Sequence, residues 1–249
     1  MEELIGKKAV ILGGSGGIGA FVSKTLAKTG VSLFVHGSSF SEKFLHLEKE
    51  LKEIANENNS CIQTIIQNIS TENIINFDST PLMEAIKTCQ ILCLCFGPFL
   101  QKPLHTTSTS EWIETSLMNY TLPGCCVSAA LPNMQKNNWG RIILFGGTRT
   151  ERINGFVSNA AYAGAKTGLS SLTKSVAISY ASYGITCNAI MPGFTDTEYL
   201  SEEQRNLLAN KMPNSSLISP KTIASLVKTI ICTPELNGAL IPVDSGWSP

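Results

Sequence analysis

The chain has 249 residues, and its 19 Lys and Arg residues balance 19 Asp and Glu residues, so the formal net charge is zero. There is no basic excess for nucleic-acid binding, and the longest apolar stretch, residues 91–100, is short and interrupted by Gly97 and Pro98. We therefore expect no nucleic-acid partner, no signal peptide and no membrane span, and the length suits a single domain over residues 1–249 in a cytoplasmic protein.

Apolar runs alternate with helix-like segments along the chain. Because the predicted strands are apolar runs without polar alternation, they are typical of a parallel sheet covered on both faces. The predicted fold class is α/β, a single-domain Rossmann-type doubly wound parallel sheet of about seven strands, with ligands at the carboxyl ends of the strands. Strands are predicted at residues 7–12, 31–36, 61–67, 91–96, 140–146, 185–190 and 239–243, and helices at 17–29, 41–58, 81–88, 111–136, 160–182 and 219–232.

A glycine-rich turn follows the first predicted strand. Glycines at 13, 17 and 19 let the backbone approach a pyrophosphate, and the helix that follows offers unpaired N–H groups at its amino terminus. Ser15 adds a hydroxyl inside the turn. The spacing G-x-x-x-G-x-G differs from both the G-x-G-x-x-G fingerprint and the P-loop. The turn predicts a phosphate-binding site, with a purely structural turn as the alternative.

The eight cysteines and three histidines give no sign of a metal site. The chain has no CxxC pair, and no His stands near a Cys at ligand spacing. Free cysteine behaves as a small buried hydrophobe, so we expect reduced thiols and no bound metal. Surface or packing roles are predicted for His36, His46 and His105.

Tyr162 and Lys166 are four residues apart in the motif YAGAK, within a predicted helix. That spacing places a phenol and an ammonium on one face of the helix. A fixed cation nearby favours phenolate, which would bring the pKa of Tyr162 closer to neutrality and make the pair an acid/base catalyst. The alternative is a solvated helix face with a partly buried ring.

Five segments together resemble the short-chain dehydrogenase/reductase family in its compact form, in the right order and over essentially the whole chain. They are the glycine turn, Asn119 in MNYTLPG, the Tyr162/Lys166 pair, residues 188–197 (NAIMPGFTDT) and the closing IPVDSGW. The overall likeness is to 3-oxoacyl-carrier-protein reductases and similar carbonyl reductases. The resemblance implies a nicotinamide-dependent oxidoreductase.

The resemblance also implies roles for individual residues. Tyr162 would protonate the substrate oxygen, Lys166 would hold the nicotinamide ribose and lower the pKa of Tyr162, and Asn119 would support a proton path to solvent through water. The segment from Pro192 to Thr197 would clasp the carboxamide and the pyrophosphate. The cofactor-binding residues implied in this way are Gly13, Ser15, Gly17, Ile18, Gly19, Ser38, Asn68, Ile69, Gly97, Tyr162, Lys166, Pro192, Gly193, Thr195 and Thr197.

The end of the second predicted strand bears on the choice of cofactor. A carboxylate there would bind the ribose hydroxyls of NAD and repel a 2′-phosphate. This chain has Gly37, Ser38 and Ser39 instead. NADP(H) is therefore favoured over NAD(H), although no Lys or Arg stands at this position either.

Two departures from the family pattern fall at the expected catalytic centre. The family's Ser after the fifth strand corresponds to Gly147, and the next residue, Thr148, is the candidate replacement for its hydroxyl. Loss of one preorganised donor costs roughly 10²–10³ in rate. The family's Asn-Asn-Ala-Gly is replaced by LCFG, which keeps only Gly97.

The predicted function is hydride transfer between NADP(H) and a small-molecule carbonyl or alcohol, for which the resemblance offers a 3-oxoacyl thioester. A binding-only family member acting as a scaffold or sensor is the alternative. A sugar-nucleotide epimerase or dehydratase is disfavoured because too few residues follow Thr197 for a substrate domain. A homotetramer is expected from the two long helices and the last strand, with Trp247 buried. The helix residues that suggested pairing are Ala129, Ala130, Leu169, Leu172 and Val176.

Overall fold

In the computed structural model, which describes residues 4–247, seven parallel strands form one sheet. The order across the sheet is β3-β2-β1-β4-β5-β6-β7, so the chain starts in the middle and winds outward in both directions. The predicted doubly wound α/β fold is confirmed. The strands are β1 (Lys8–Leu12), β2 (Ser32–Gly37), β3 (Ile62–Ile66), β4 (Ile91–Leu94), β5 (Gly140–Phe145), β6 (Ile185–Pro192) and β7 (Leu240–Val243).

Helices connect the strands and cover both faces of the sheet. Short 3₁₀ turns lie at Ile74–Ser79, Leu104–Thr106 and Ala181–Tyr183. The α-helices are α1 (Gly17–Ala27), α2 (Glu42–Glu57), α3 (Pro81–Thr88), α4 (Thr109–Ser116), α5 (Leu122–Lys136), α6 (Ala160–Tyr180), α7 (Glu202–Ala209) and α8 (Pro220–Ile231).

Two apolar layers hold the helices to the sheet. On one face α1, α2 and α8 contribute buried residues such as Val22, Leu51 and Val227, and on the other face α3, α5 and α6 contribute residues such as Ile86 and Leu169. Each fully buried side chain of this kind contributes about 1.5–3 kcal/mol. The central strands are buried on both sides, which explains their continuous apolar sequence.

The segment predicted as one helix over 111–136 is built differently. It consists of α4 and α5 joined by a π-helical turn at Leu117–Thr121, and this turn contains Asn119. A π-turn inserts one residue into the helix and commonly marks a functional site. Helix α7 was not predicted because it buries no residue, although the capping box formed by Ser201 and Gln204 marks its start.

The residues that suggested helix pairing between subunits prove to belong to the core of the chain. Ala130, Leu169 and Val176 are buried against the sheet, so that part of the reasoning is wrong. The large side chains that these helices do expose are Trp112, Ile113, Tyr120 and Ile178.

All eight cysteines are free thiols, and four of them are buried. Among residues 4–247 there is no group of three or more His, Cys, Asp or Glu side chains that could hold a metal ion. In the same part of the chain no helix is both long and apolar enough to cross a membrane.

Candidate active site

The glycine turn connects β1 to α1 at the carboxyl edge of the sheet. Gly13 has a φ of +75°, and a Cβ there would lie 3.1 Å from the carbonyl carbon of Cys95, so only glycine fits between the ends of β1 and β4. Gly19 packs against the Gly13 carbonyl from inside α1. The turn therefore brings the amino terminus of α1 to the mouth of a cleft.

This cleft has a volume of about 380 Å³ and runs from the end of β2 to the end of β4. It brings together seven of the predicted cofactor residues and, in the described part of the chain, no Lys or Arg lines it. Asn68 and Ile69 do not line it: the Asn68 side chain is exposed and Ile69 is buried in the core. The predicted residues that line the cleft are Gly13, Ser15, Gly17, Ile18, Ser38, Gly97 and Thr197.

His36, at the end of β2, forms hydrogen bonds with the residues that follow β1 and β3. Its Nδ1 accepts a hydrogen bond from the Gly13 N–H (3.2 Å), and its Nε2 lies 2.8 Å from the Gln67 carbonyl oxygen. A ring that accepts at Nδ1 and donates at Nε2 is the neutral tautomer. Burial lowers the pKa of His36, in agreement with that tautomer. The sequence predicted a packing role, but His36 also braces the turn.

An anion already lies on the amino terminus of α1. The Gly17 N–H donates to Oε1 of Glu198 over 2.9 Å, and the Tyr199 side chain packs over Gly16 and Gly17. A carboxylate oxygen is here a stand-in for a phosphate oxygen, because both are anionic acceptors for a helix amino terminus. The turn is therefore suited to a pyrophosphate.

Tyr162 and Lys166 lie on α6 as predicted, but they are not in direct contact. The Lys166 Nζ donates to the Phe145 carbonyl oxygen (2.9 Å) and lies 5.8 Å from the centroid of the Tyr162 ring. Burial lowers the pKa of Lys166 to about 8 and raises that of Tyr162 to about 12. The expectation that Lys166 lowers the pKa of Tyr162 is wrong for this arrangement, because burial outweighs a cation at this distance.

Asn119 is fully buried in the π-turn and points toward Lys166. Its Nδ2 donates to the carbonyl oxygens of Thr115 (3.1 Å) and Pro98 (3.0 Å). Its Oδ1 has no hydrogen-bond partner among the described residues. A Cβ on Gly97 would collide with this oxygen and would lie 2.7 Å from the Lys166 Nζ, so Gly97 keeps the space between the two groups open.

The loop after β5 carries Gly147 beside Tyr162. A Cβ on Gly147 would lie 3.1 Å from Cε1 and 3.6 Å from the hydroxyl oxygen of Tyr162. The Thr148 hydroxyl donates to the Pro192 carbonyl oxygen (3.0 Å), and Thr150 binds both the N–H and the carbonyl oxygen of Gly147. The loop thus places position 147, and not the Thr148 hydroxyl proton, next to the phenol.

The segment after β6 crosses the same edge of the sheet. The Gly193 N–H donates to the Val243 carbonyl oxygen (2.8 Å), and the Thr195 hydroxyl donates to the Gly193 carbonyl oxygen (3.0 Å). Trp247 is half-buried and packs at a tilt against the Phe194 ring, with the ring centroids 4.6 Å apart. Of this segment, Thr197 and Tyr199 line the cleft, whereas the predicted cofactor residues Pro192, Gly193 and Thr195 do not.

These elements define a doubly wound nucleotide-binding fold with a Tyr–Lys pair at the carboxyl edge of its sheet. Residues 7–207 match the model of the short chain dehydrogenase family, and the chain belongs to that family. Its members are oxidoreductases that use nicotinamide cofactors.

The relatives match over nearly their full length. The chain is 30% identical to a 3-oxoacyl-[acyl-carrier-protein] reductase of Rickettsia bellii, covering 99% of this chain and 98% of that protein. It is 24% identical to a D-beta-hydroxybutyrate dehydrogenase of Rhizobium meliloti, with 97% and 98% covered. A solved short-chain dehydrogenase/reductase from Serratia marcescens superposes with a TM-score of 0.83 at 25% identity, with 99% of each chain covered.

Sequence reasoning missed three residues that shape the site: His36, Glu198 and Phe99. The Phe99 ring packs edge-on against Tyr162 with the centroids 4.9 Å apart. His36 and Phe99 each stand at the carboxyl end of a strand or shortly after it. Their position along the chain could therefore have indicated that they lie near the site. The Glu198 contact has no such signal, since 181 residues separate it from Gly17.

Proposed function

We propose that this chain is an NADP(H)-dependent oxidoreductase that transfers a hydride between the nicotinamide and a carbonyl or alcohol substrate. The observation that carries the proposal is that Lys166 and Asn119 meet at Gly97, which lines one end of the cleft that begins at the glycine turn. Tyr162 stands on the same helix as Lys166, with its ring centroid 5.8 Å from the Lys166 Nζ. A dinucleotide with its pyrophosphate at the glycine turn would extend along the cleft toward these residues.

The residues that would hold the cofactor lie on three loops at the same edge of the sheet. Gly13 to Gly19 would take the pyrophosphate, Ser38 the adenosine ribose with its 2′-phosphate, and Pro192 to Thr197 the carboxamide end. When bound, the nicotinamide supplies or accepts the hydride. Preference for NADP(H) is supported by the exposed hydroxyl of Ser38, which lines the cleft, and by the absence of a carboxylate at Gly37.

Side chains of the protein itself would supply and relay the proton. Burial keeps the Tyr162 phenol protonated at neutral pH, so its hydroxyl is available to donate a proton to the carbonyl oxygen of a substrate. Lys166, with a pKa of about 8, sits behind it and exchanges protons near neutrality. Asn119 presents a free acceptor oxygen on the same side, and we assign it to a bridging water that passes protons between Lys166 and solvent.

Because residue 147 is glycine, it offers no side-chain hydroxyl to polarise the substrate carbonyl, and this lowers the turnover that we expect. Thr148 keeps lone pairs on its oxygen but donates its proton to Pro192, so it polarises a carbonyl only after that bond is exchanged. We expect turnover roughly 10²–10³ below that of a site with a preorganised donor. Catalysis would then rest mainly on Tyr162.

Exposed apolar side chains lie against Tyr162 and in the loop that leads into its helix. Phe99 is 61% exposed while it packs on Tyr162, and Ile153 and Val157 in the loop before α6 are almost fully exposed. An acyl chain would cover such side chains favourably. A 3-oxoacyl thioester is therefore the substrate class that we propose, in line with the name of the Rickettsia bellii relative.

The test is NADPH oxidation followed at 340 nm with a 3-oxoacyl thioester, a 3-oxo ester and a simple ketone, each against a blank without carbonyl. We expect thioester-dependent oxidation with NADPH and slower oxidation with NADH. A protein that binds NADP(H) in calorimetry and reduces none of these carbonyls would contradict the proposal.

That result would support the second candidate function, a nucleotide-binding scaffold or sensor. The observations in its favour are Gly147, which removes the polarising hydroxyl, and the bond that holds Lys166 on Phe145 instead of on Tyr162. Binding without turnover distinguishes the two candidates.

We also propose that the protein is a cytoplasmic homotetramer. A second groove of about 380 Å³ lies between α4 and α6, lined by Trp112, Tyr120 and the small residues Gly164 and Gly168. Small residues beside exposed aromatic rings allow the same pair of helices in a second copy to approach around a twofold axis. A second twofold contact, which we place at β7, would complete the tetramer.

A further inference from the structure

Residues 193–200, here termed the clasp segment, are held at their base from two sides. The Asp196 N–H donates to the Ile218 carbonyl oxygen (2.9 Å), while Arg205 donates to the Asp196 carboxylate (2.7 Å) and to the Thr197 carbonyl oxygen (2.9 Å). These bonds fix the backbone up to Thr197. The position of the next two side chains follows from this anchoring.

The tip of the clasp segment lies on the glycine turn. Helix α1 has Gly16 as its N-cap and therefore no side-chain cap of its own. Glu198 supplies one from the other half of the chain, through the 2.9 Å bond from the Gly17 N–H to Oε1. Tyr199 covers Gly16 and Gly17 and nevertheless remains 71% exposed, so the tip lies over the turn without being embedded in the core.

A pyrophosphate at this turn needs the same donor. The Gly17 N–H points at one acceptor, and the partial positive charge of the α1 amino terminus serves one anion best. A carboxylate and a pyrophosphate placed there together would also repel each other. Binding of the dinucleotide therefore requires that Glu198 leave the Gly17 N–H.

We infer that Glu198 is an intramolecular competitor for the pyrophosphate position and sets the affinity for the dinucleotide, with the clasp tip moving off the glycine turn as the dinucleotide binds. The inference rests on the proposed function only in that a dinucleotide must bind at this turn. It assigns Glu198 no part in hydride or proton transfer.

The experiment is calorimetric titration without any carbonyl substrate, so no turnover is involved. Glu198→Gln removes the charge, Glu198→Ala removes the side chain, and Glu203→Gln removes a carboxylate from the exposed first turn of α7 as the matched control. The ligands are NADP⁺ and ADP, which contain the pyrophosphate, and adenosine 2′-monophosphate, which does not.

We expect both Glu198 variants to bind NADP⁺ and ADP about two- to fivefold more tightly than the unmodified protein, the range for one exposed anion at a helix amino terminus. Adenosine 2′-monophosphate should bind all proteins equally, and Glu203→Gln should match the unmodified protein. Unchanged NADP⁺ affinity in the Glu198 variants would overturn this inference alone. An equal gain in NADP⁺ affinity in Glu203→Gln would also overturn it, since the gain would then come from the loss of any nearby negative charge and not from the position of Glu198. Failure of every variant to bind any nicotinamide dinucleotide would overturn both this inference and the proposed function.

Discussion

The Lys166→Met variant and the unmodified protein should differ in their free energy of unfolding by an amount that depends on pH. We expect this difference to change sign between neutral and alkaline pH. Lys166 is only 3% exposed, and burial lowers its pKa from 10.5 to about 8, which corresponds to about 3 kcal/mol at ~1.4 kcal/mol per pKa unit. Below pH 8 the side chain is protonated in both the folded and the unfolded chain, so the unmodified protein bears this full cost. Between pH 8 and 10.5 only the unfolded chain keeps the proton, and the folded state gains stability as the pH rises.

Met avoids the buried charge but leaves the Phe145 carbonyl without its donor, at a cost of about 1 kcal/mol. The Lys166→Met variant should therefore be about 2 kcal/mol more stable at pH 7 and about 1 kcal/mol less stable near pH 10.5. Urea unfolding of both proteins at equal concentration measures the difference, and any titration of Tyr162 cancels between them. Lys174→Met, on the exposed face of α6, is the control and should show no such trend. A difference for Lys166→Met that is constant from pH 7 to 10.5 would refute the reasoning.

Three further outcomes are expected. NADPH should bind more tightly than NADH. Ser38→Asp should reverse this order, because repulsion of the 2′-phosphate lowers the affinity for NADPH on the order of tenfold. Tighter binding of NADH by the unmodified chain in calorimetry would be inconsistent with this. Gly147→Ser should raise turnover at least about tenfold by restoring a hydroxyl beside Tyr162, whereas Gly147→Ala adds only the crowding Cβ and should not; an equal effect of both would exclude a role for the hydroxyl. Sedimentation at micromolar concentration should give a species of four 26.8 kDa chains, and a single monomer boundary would disprove the tetramer.

The sheet, the position of the glycine turn and the placement of Tyr162 and Lys166 on one helix could be predicted because each depends on local sequence. Apolar runs bounded by helix-like segments define buried parallel strands, and whatever follows such strands collects at one edge of the sheet. The i, i+4 spacing was enough to place Tyr162 and Lys166 on one face of α6. No long-range information was needed for either conclusion.

The remaining features depend on contacts that sequence spacing does not encode. The π-turn at Asn119 lies between α4 and α5, where both helices pack against α6. The bond from Gly17 to Glu198 joins residues on opposite halves of the sheet. The pKa of Tyr162 was expected to fall because only the charge of Lys166 was counted. Burial of the phenol and the bond from Lys166 to Phe145 reverse the direction.

The central claim is that Tyr162 is the proton donor beside a dinucleotide cleft. The most direct test of this claim is to measure the turnover and the NADPH affinity of the Tyr162→Phe variant. The ring and its packing on Phe99 are kept, and only the hydroxyl is lost. We expect NADPH affinity within about twofold of the unmodified protein and carbonyl-dependent NADPH oxidation reduced by about 10²-fold or more. Turnover that survives in this variant at the unmodified rate would contradict the assignment of Tyr162.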